Sequence, residues 1–307
     1  MLKKSVLTIL VLVIFTSVAS AQYVDRETLR WMRDRPIIYQ IDVTIDNVLD
    51  DKPEFSPGRV KSQMYSRERG FFEMIRGDRR SRLQRETLDR DTLEIKYLYL
   101  THGYLGVRVI ETFGVNEADS SAIVKVLVRE GRQFYYGDKI VTGSFKPGFM
   151  DYFKNIYKKF KPGKPVDLLA LQQATFDMKT VLANNGYPYA RVGFDFDTLS
   201  SPPITPITFN VVADSLVHFG EVEVSGSDSY PESVARRELT FKQGDLYRRK
   251  DIVDSQRRLF ESGYFSYLQL SQVEEGGDRM NPDFLLRIRE RRPRFISVKT
   301  GAGQSEL

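Results

Sequence analysis

The sequence predicts an α+β protein built from three copies of a β-α-α-β-β unit. A glycine-tyrosine pair occurs three times, at Gly103-Tyr104, Gly186-Tyr187 and Gly263-Tyr264, with spacings of 83 and 77 residues. A second landmark, FYYGDKIVTGS from Phe134 and VHFGEVEVSGS from Val217, repeats with the same spacing of 83 residues. Two landmarks with a common spacing indicate a duplicated domain.

Each unit begins with a strand that leads into a helix. Alternating apolar and polar residues predict the strand. The three strands are 37–45, 138–143 and 221–226. A proline follows each strand, and proline suits the first turn of a helix because its φ is already helical and its missing N–H has no partner there. These prolines are Pro57, Pro147 and Pro231.

Two helices are predicted in each unit. In the middle unit, the apolar residues of the first helix share one helical face. They are Phe149, Phe153, Ile156, Tyr157 and Phe160. The second helix begins near Asp167 and has its own apolar stripe. That stripe consists of Leu168, Leu171, Thr175, Met178 and Leu182. The second helices of the other two units are predicted over Thr92–Thr101 and Arg249–Ser262.

Each second helix is predicted to end at the glycine of its unit. A left-handed residue ends a helix most easily when it has no Cβ, and we expect the tyrosine that follows to pack back on the helix. The structural junctions are therefore Gly103, Tyr104, Gly186, Tyr187, Gly263 and Tyr264. A strand follows each junction, and a turn joins it to a third strand. The predicted strand pairs are 107–113 with 122–129, 190–196 with 207–213, and 265–273 with 284–289.

The first 21 residues have the pattern of a secretory signal peptide. Lys3 and Lys4 precede an apolar run from Val6 to Phe15, and the small residues of Ala19-Ser20-Ala21 precede Gln22. The apolar run has about ten residues, whereas a membrane-spanning helix needs about twenty. The sequence therefore predicts cleavage and export, with an uncleaved membrane anchor as the alternative.

Composition excludes several classes of function. The net charge of +5 is too mild to predict nucleic acid as a partner. The chain has no cysteine and only two histidines, which excludes disulfides and thiol catalysis and argues against zinc sites of the Cys/His type. We expect neither a metal nor a cofactor.

The sequence contains no catalytic constellation. His102 lies at a predicted helix end, where a basic side chain interacts favourably with the helix dipole. Asp195 and Asp197 share one face of a strand. They could be metal ligands, or they could belong to the face of the sheet that is exposed to solvent. The second interpretation is favoured because Phe194 and Phe196 occupy the opposite face. The sequence therefore predicts a binding protein rather than an enzyme.

The repeated unit resembles the polypeptide-transport-associated (POTRA) domain. The third unit carries the most similar motifs, RREL and QGDLY before its second helix and LFESGYF after it. The resemblance extends over about residues 37–290, and it is weakest in the first unit, where RGDRRSRLQRETLDRD replaces a compact turn. It implies POTRA domains over 36–130, 131–214 and 215–291.

The residues after the third unit carry a second resemblance. The stretch RERRPRFISVKTGAGQS is similar to the passage by which outer-membrane insertases of the BamA/TamA type, in the bacterial surface antigen superfamily, enter their first barrel strand. Residues 292–307 are therefore expected to begin a β-barrel. A barrel of that family needs about sixteen strands and roughly 250 residues. We accordingly expect this chain to be a fragment or a truncated product without its barrel.

The resemblance also implies a mode of binding. In the POTRA fold the strand after the junction lies at the sheet edge with unpaired backbone groups, where an extended client can add as a further strand. The edge of the third unit is favoured because Pro188 and Arg191 discourage pairing in the middle unit. The predicted partner-binding residues are Ser266, Tyr267, Leu268, Gln269, Leu270, Ser271 and Gln272. Against this stands the fact that most sheet edges bind nothing.

The leading functional hypothesis is the periplasmic module of an insertase in the cell outer membrane. Its expected partners are unfolded outer-membrane proteins, accessory periplasmic proteins or lipoproteins, and the outer membrane itself through the missing barrel. Two other classes remain open. One is a transporter for two-partner secretion or lipid export, and the other is an anchored POTRA scaffold protein.

Overall fold

The structure is a computed structural model that describes residues 35–47, 52–70, 81–116, 118–199, 201–227, 229–273 and 278–291. The predicted signal peptide, 1–21, and the predicted start of a barrel strand, 292–307, lie outside the described residues. Both therefore stay predictions.

The described elements repeat the order β-α-α-β-β three times, as predicted. The first unit contains β1 (Ile37–Asp46), α1 (Pro57–Gln63), α2 (Arg85–Leu100), β2 (Arg108–Asn116) and β3 (Ser121–Arg129). The second contains β4 (Tyr135–Ser144), α3 (Met150–Tyr157), α4 (Leu168–Ala183), β5 (Arg191–Phe196) and β6 (Ile204–Val212). The third contains β7 (Val222–Ser225), α5 (Glu232–Arg236), α6 (Arg249–Glu261), β8 (Phe265–Gln272) and β9 (Phe284–Glu290).

Each unit forms its own three-stranded sheet, and the third strand of the unit is central. The strand orders are β1-β3-β2, β4-β6-β5 and β7-β9-β8. In the first and third units the central strand runs parallel to the first strand and antiparallel to the second. The strand that follows each glycine junction is therefore an edge strand of its described sheet.

Spatial contacts between Cα atoms divide the chain into two compact bodies, which do not coincide with the three repeats. The first takes in the described residues up to Thr142 together with Phe153–Phe176 and Gly193–Asn210. The second takes in Gly143–Tyr152, Asp177–Val192 and the described residues from Val211 onward. Because the division runs through the middle repeat, the domain limits at 131 and 215 remain predictions.

Alternation along the central strands builds the cores of the first and third repeats. In β3 the inward residues Ala122, Val124, Val126 and Val128 are all buried, because successive side chains of a strand point to opposite faces. The core of the third repeat is aromatic instead. Its buried rings belong to Phe219, Phe241, Phe265 and Phe284.

Proline marks the helix starts in two of the three units as predicted. Pro57 begins α1 after Ser56, whose hydroxyl caps the helix by accepting the N–H of Arg59 at 3.2 Å. Pro147 opens a short 3₁₀ turn that leads into α3. In the third unit Pro231 is the N-cap of α5, one residue earlier than the first-turn position expected, and its ψ of 145° is extended rather than helical.

The second helix of the first unit is longer than predicted. It begins at Arg85, whereas the sequence pattern suggested Thr92. The charged run RETLDRD hides the pattern, because among its residues Leu88 is the apolar one that joins the buried core. Its spacing of seven residues from Ile95 places the two side chains on one helical face.

A carboxylate anchors the loop after the first strand in two repeats. Glu130, at the end of β3, is fully buried and accepts the side-chain amide of Asn47 at 2.8 Å and the backbone N–H of Glu54 at 3.0 Å. Glu290, the last residue of β9, is half-buried and accepts the backbone N–H groups of Ser229 and Tyr230, each at 2.9 Å. Charge-assisted bonds of this kind hold a polar loop against its sheet.

Candidate strand-binding groove and the glycine junctions

The three junction glycines have the left-handed backbone that the sequence predicts. Their φ angles are +87° at Gly103, +93° at Gly186 and +76° at Gly263. In the first two junctions the tyrosine N–H returns to a helix carbonyl five residues back, from Tyr104 to Tyr99 at 3.1 Å and from Tyr187 to Leu182 at 3.0 Å. This is the bond of a Schellman-type helix end.

Each junction tyrosine has an aromatic partner within its own repeat. Tyr104 packs edge to face on Tyr99 of α2, with 5.7 Å between ring centroids, as the sequence predicts. The rings of Tyr187 and Tyr264 contact Phe149 and Tyr230, which lie where the first helix of each unit begins. The residue five positions before each of these two tyrosines is a leucine, so the helix offers no aromatic partner at that place.

The first residue of the predicted binding edge is tied to its own sheet. The pairing of β8 with β9 shifts register between Phe265 and Tyr267, which makes Ser266 a bulge. The hydroxyl of Ser266 donates to the carbonyl oxygens of Arg289 and Glu290, both at 3.2 Å. Bulges are a common way to end pairing along an edge strand. The regular part of the predicted edge therefore runs from Tyr267 to Gln272.

The direction of the backbone groups along this edge follows from one hydrogen bond. The N–H of Val273 donates to the carbonyl of Asp283 at 2.9 Å, so Val273 faces the partner strand. In an antiparallel pair, the N–H and C=O of one residue point the same way, and successive residues alternate. The backbone groups of Leu268, Leu270 and Gln272 consequently point away from β9.

Helix α6 lies beside the outward side of β8. The side-chain amide of Gln256 donates to the outward carbonyl of Leu270, at a long 3.4 Å. Val253 and Phe260 stand three residues before and four residues after Gln256, so all three share one helical face. The side chains of Val253 and Phe260 are 51% and 63% exposed. The edge of β8 and this apolar stripe together form what we call the β8–α6 groove.

Sequence reasoning missed the α6 side of the groove. The buried face of α6 includes Leu259, and Ile252 packs against the same core seven residues earlier. Val253 and Phe260 repeat this spacing one residue further on, which places them on a second apolar stripe. That second stripe was the available signal, since apolar residues that the core does not use are candidates for binding.

One end of the groove meets the middle repeat. The side-chain amide of Gln272 donates to the hydroxyl of Tyr189 at 2.9 Å. The guanidinium of Arg279 lies 4.8 Å from the centre of the Tyr189 ring and donates to Asp214 at 2.9 Å. The last outward residue of β8 is thus held by contacts with Tyr189.

The other polar residues singled out by the sequence have structural partners. The ring Nδ1 of His102 donates to the carbonyl of Leu98 at 2.7 Å, at the end of α2. Asp195 accepts the side-chain amide of Asn210, and Asp197 accepts the N–H of Leu199 at 2.7 Å. Over the described residues, no three His, Cys, Asp or Glu side chains group as metal ligands would. None of the helices that the structure describes combines the length and hydropathy of a transmembrane span.

The third repeat matches a known family of domains. Residues 217–291 match the POTRA family, described as a surface antigen variable number repeat. The solved structure of POTRA domains 3–5 of BamA from Haemophilus influenzae is similar to 83% of this chain and 96% of its own, with a TM-score of 0.65 and 16% identity. At that identity the likeness concerns the fold, and the three repeats have the POTRA fold.

Several curated relatives carry the same name. The outer membrane protein assembly factor BamA of Neisseria meningitidis serogroup B is 20% identical over 271 residues, which are 85% of this chain and 34% of the relative. BamA of Nitratidesulfovibrio vulgaris is 26% identical over 226 residues, which are 72% of this chain and 28% of the relative. The chain thus spans about a third or less of the length of these relatives, and its similarity is to the POTRA region of BamA-type proteins.

Proposed function

We propose that this chain, as an array of POTRA-fold repeats similar to the POTRA region of BamA-type proteins, receives unfolded outer-membrane proteins and assists their assembly into the outer membrane. The proposal makes it a binding module and not an enzyme. Its place is the periplasmic side of the outer membrane, where accessory periplasmic proteins or lipoproteins are further expected partners. The name of the relatives, outer membrane protein assembly factor, supports this role.

The observation that carries the proposal is the make-up of the β8–α6 groove. One wall offers the backbone N–H groups of Leu268, Leu270 and Gln272 and the carbonyls of Leu268 and Gln272, while the carbonyl of Leu270 already accepts a side-chain amide from α6. Such groups pair with any extended chain regardless of its sequence. The other wall is the apolar stripe of Val253 and Phe260. An added strand would therefore place every second side chain against an apolar surface and the others toward water.

This arrangement selects for alternation rather than for a particular sequence. Strands of membrane β-barrels alternate apolar residues toward the lipid with polar residues toward the lumen. Strands of soluble proteins that are apolar on one face also alternate apolar and polar residues. Once such a protein has folded, however, the backbone groups of those strands are already paired within its own sheet. The groove therefore fits barrel strands before they have folded, which is the client class of an assembly factor.

A proline at Gln272 is expected to weaken client binding about tenfold, by removing one outward N–H and obstructing the added strand. The matched control is Gln272→Ala, which loses the same side-chain bond to Tyr189 but keeps the N–H. The measurement is the Kd of a ten-residue peptide with the alternation of a transmembrane β-strand, by fluorescence anisotropy. Circular dichroism must show the same fold for both variants.

The same titration separates strand addition from other modes of binding. Leu268→Pro and its control Leu268→Ala repeat the comparison at the other end of the free edge. A peptide of the same composition with its alternation scrambled should bind Gln272→Ala and Gln272→Pro equally weakly. Equal affinity of the alternating peptide for the proline and alanine variants at both positions would rule out strand addition at β8.

The apolar wall has its own test within the same experiment. Phe260→Ser is expected to lower the affinity for the alternating peptide and leave the small affinity for the scrambled peptide unchanged. Tyr152, which is 55% exposed on α3, provides a matched surface control as Tyr152→Ser. Equal losses of affinity in the two serine variants would show that the stripe on α6 has no special part in binding.

A further inference from the structure

The first two glycine junctions are docking sites for the repeat that follows them. The carbonyl of Gly103 accepts the N–H of Phe134 at 2.9 Å, and the carbonyl of Gly186 accepts the N–H of Val217, also at 2.9 Å. In both cases the donor lies 31 residues after the glycine. The same backbone contact is therefore made twice at the same place in the repeat.

The docked chain closes over each of these glycines. A Cβ on Gly103 would stand 2.5 Å from the carbonyl oxygen of Phe134, and a Cβ on Gly186 would stand 2.6 Å from side-chain atoms of Leu216 and Leu246. The adjacent tyrosines are correspondingly hidden, with exposed fractions of 5% for Tyr104 and 6% for Tyr187.

The third junction has the same backbone but is open. Among the described residues, none donates a backbone N–H to the carbonyl of Gly263, and a Cβ placed there would have no heavy atom within 4 Å. The ring of Tyr264 is 36% exposed, several times more than its two counterparts. We call Ser262, Gly263 and Tyr264 the terminal junction surface.

We propose that the terminal junction surface is the docking site for the segment 292–307 of this chain. The described chain already returns to the junction, because the N–H of Arg291 donates to the carbonyl of Tyr264 at 2.8 Å. Consecutive Cα atoms are about 3.8 Å apart, so the residues that directly follow Arg291 can reach the carbonyl of Gly263. The residue 31 positions after Gly263 is Arg294.

The chemistry of the segment suits the surface. A docked residue needs a backbone N–H for the Gly263 carbonyl, and Arg294 has one although Pro293 beside it does not. Phe295 and Ile296 then supply apolar side chains to cover the exposed ring of Tyr264. This inference is independent of the proposed client binding, because it concerns the junction and not the β8–α6 groove.

Disulfide trapping in the full chain tests the proposal, and the absence of native cysteine leaves a clean background. Ser262→Cys combined with Arg294→Cys is expected to form an intramolecular disulfide under mild oxidation, since bridged Cα atoms lie within about 7 Å of each other. The matched control pairs Arg294→Cys with Val253→Cys, on the same helix but about 14 Å along its axis, and should not cross-link. Mass spectrometry identifies the linked peptides.

Each other outcome overturns the proposal. Disulfide-linked dimers from the Ser262→Cys and Arg294→Cys pair would make a second copy of the chain the occupant. Equal cross-linking of the test and control pairs would mean that the segment has no fixed place. A second readout is the labelling rate of Ser262→Cys alone, which should rise several-fold when Phe295 and Ile296 are both changed to serine. An unchanged labelling rate in a folded variant would show that these side chains cover nothing at the junction.

Discussion

Replacing Gly103 by alanine is expected to destabilise the first and second repeats more than any equivalent change at the third junction. Alanine must adopt φ near +87°, which costs about 1–2 kcal/mol, and its Cβ would lie 2.5 Å from the carbonyl oxygen of Phe134. That oxygen also accepts the N–H of Val166 at 2.9 Å, so relieving the clash breaks a bond at the start of β4. We expect a total loss on the order of 3 kcal/mol.

The comparison with Gly263 separates backbone strain from docking. Gly263 has φ +76°, but a Cβ at this position would meet no heavy atom within 4 Å, so Gly263→Ala and Gly263→Val should lose about 1–2 kcal/mol from the backbone alone. The measurement is urea unfolding by circular dichroism, with hydrogen exchange at Phe134 and Val166 to locate the effect. Equal losses at Gly103 and Gly263 would contradict a docking role for the first junction.

Replacing Glu111 by glutamine is expected to stabilise the first repeat at alkaline pH and to change little under acidic conditions. Burial, as the largest cause, and the charges of Asp91 and Asp89 together raise the pKa of the Glu111 carboxyl to about 8, against a lowering by a hydrogen bond with the Thr92 side chain. One carboxylate oxygen of Glu111 is buried without a hydrogen-bond partner among the described residues. An ionised carboxylate there is costly, whereas a neutral amide is not.

The direction of the pH effect follows from proton binding. Between the unfolded pKa, near 4.3, and about 8, the folded state holds a proton on Glu111 that the unfolded state has released. Stability therefore falls as the pH rises through this window. Glutamine removes this dependence, so at about 1.4 kcal/mol per pKa unit the variant should gain on the order of 5 kcal/mol over the native chain at pH about 8.5 and little near pH about 4.5.

Urea unfolding of both proteins across this pH range checks the prediction. Glu86→Gln is the matched control, because Glu86 is an exposed carboxylate in the same repeat. Its effect should be a few tenths of a kcal/mol. A stability difference for Glu111→Gln that does not change between acidic and alkaline pH would show that Glu111 is ionised in the folded protein throughout.

The repeat order and the junctions could be predicted from the sequence because both depend on local chemistry. Hydrophobic periods of two and of 3.6 residues identify strands and helices wherever they occur, and three copies confirm one another. The left-handed glycines at 103, 186 and 263 follow from the same logic, since a helix end of this kind selects against a Cβ. The predicted start of α2 is seven residues too late, which shows the limit of prediction from hydrophobic periods. In the charged run at the start of this helix, Leu88 is the one apolar residue that joins the core, and a single residue gives no detectable period.

The candidate site was only partly predictable. The sequence located the strand 266–272, but the bulge at Ser266 and the outward direction of Leu268, Leu270 and Gln272 depend on pairing with β9. The contribution of Val253 and Phe260 depends on where α6 lies beside the strand edge. Neither feature is encoded within the strand itself.

By itself, the sequence determined which elements form, in what order, and where the second helix of each repeat must end. Tertiary structure decided which chemically equivalent positions differ in role. Gly103 and Gly186 are covered by the chain that follows, while Gly263 is open among the described residues, although all three precede a tyrosine and have a left-handed backbone. Glu111 is an ordinary strand residue in the sequence and acquires its raised pKa from burial near Asp91. The physical reason is the same in each case, because exposure and electrostatic environment are set by residues that are distant along the chain and meet only when it folds.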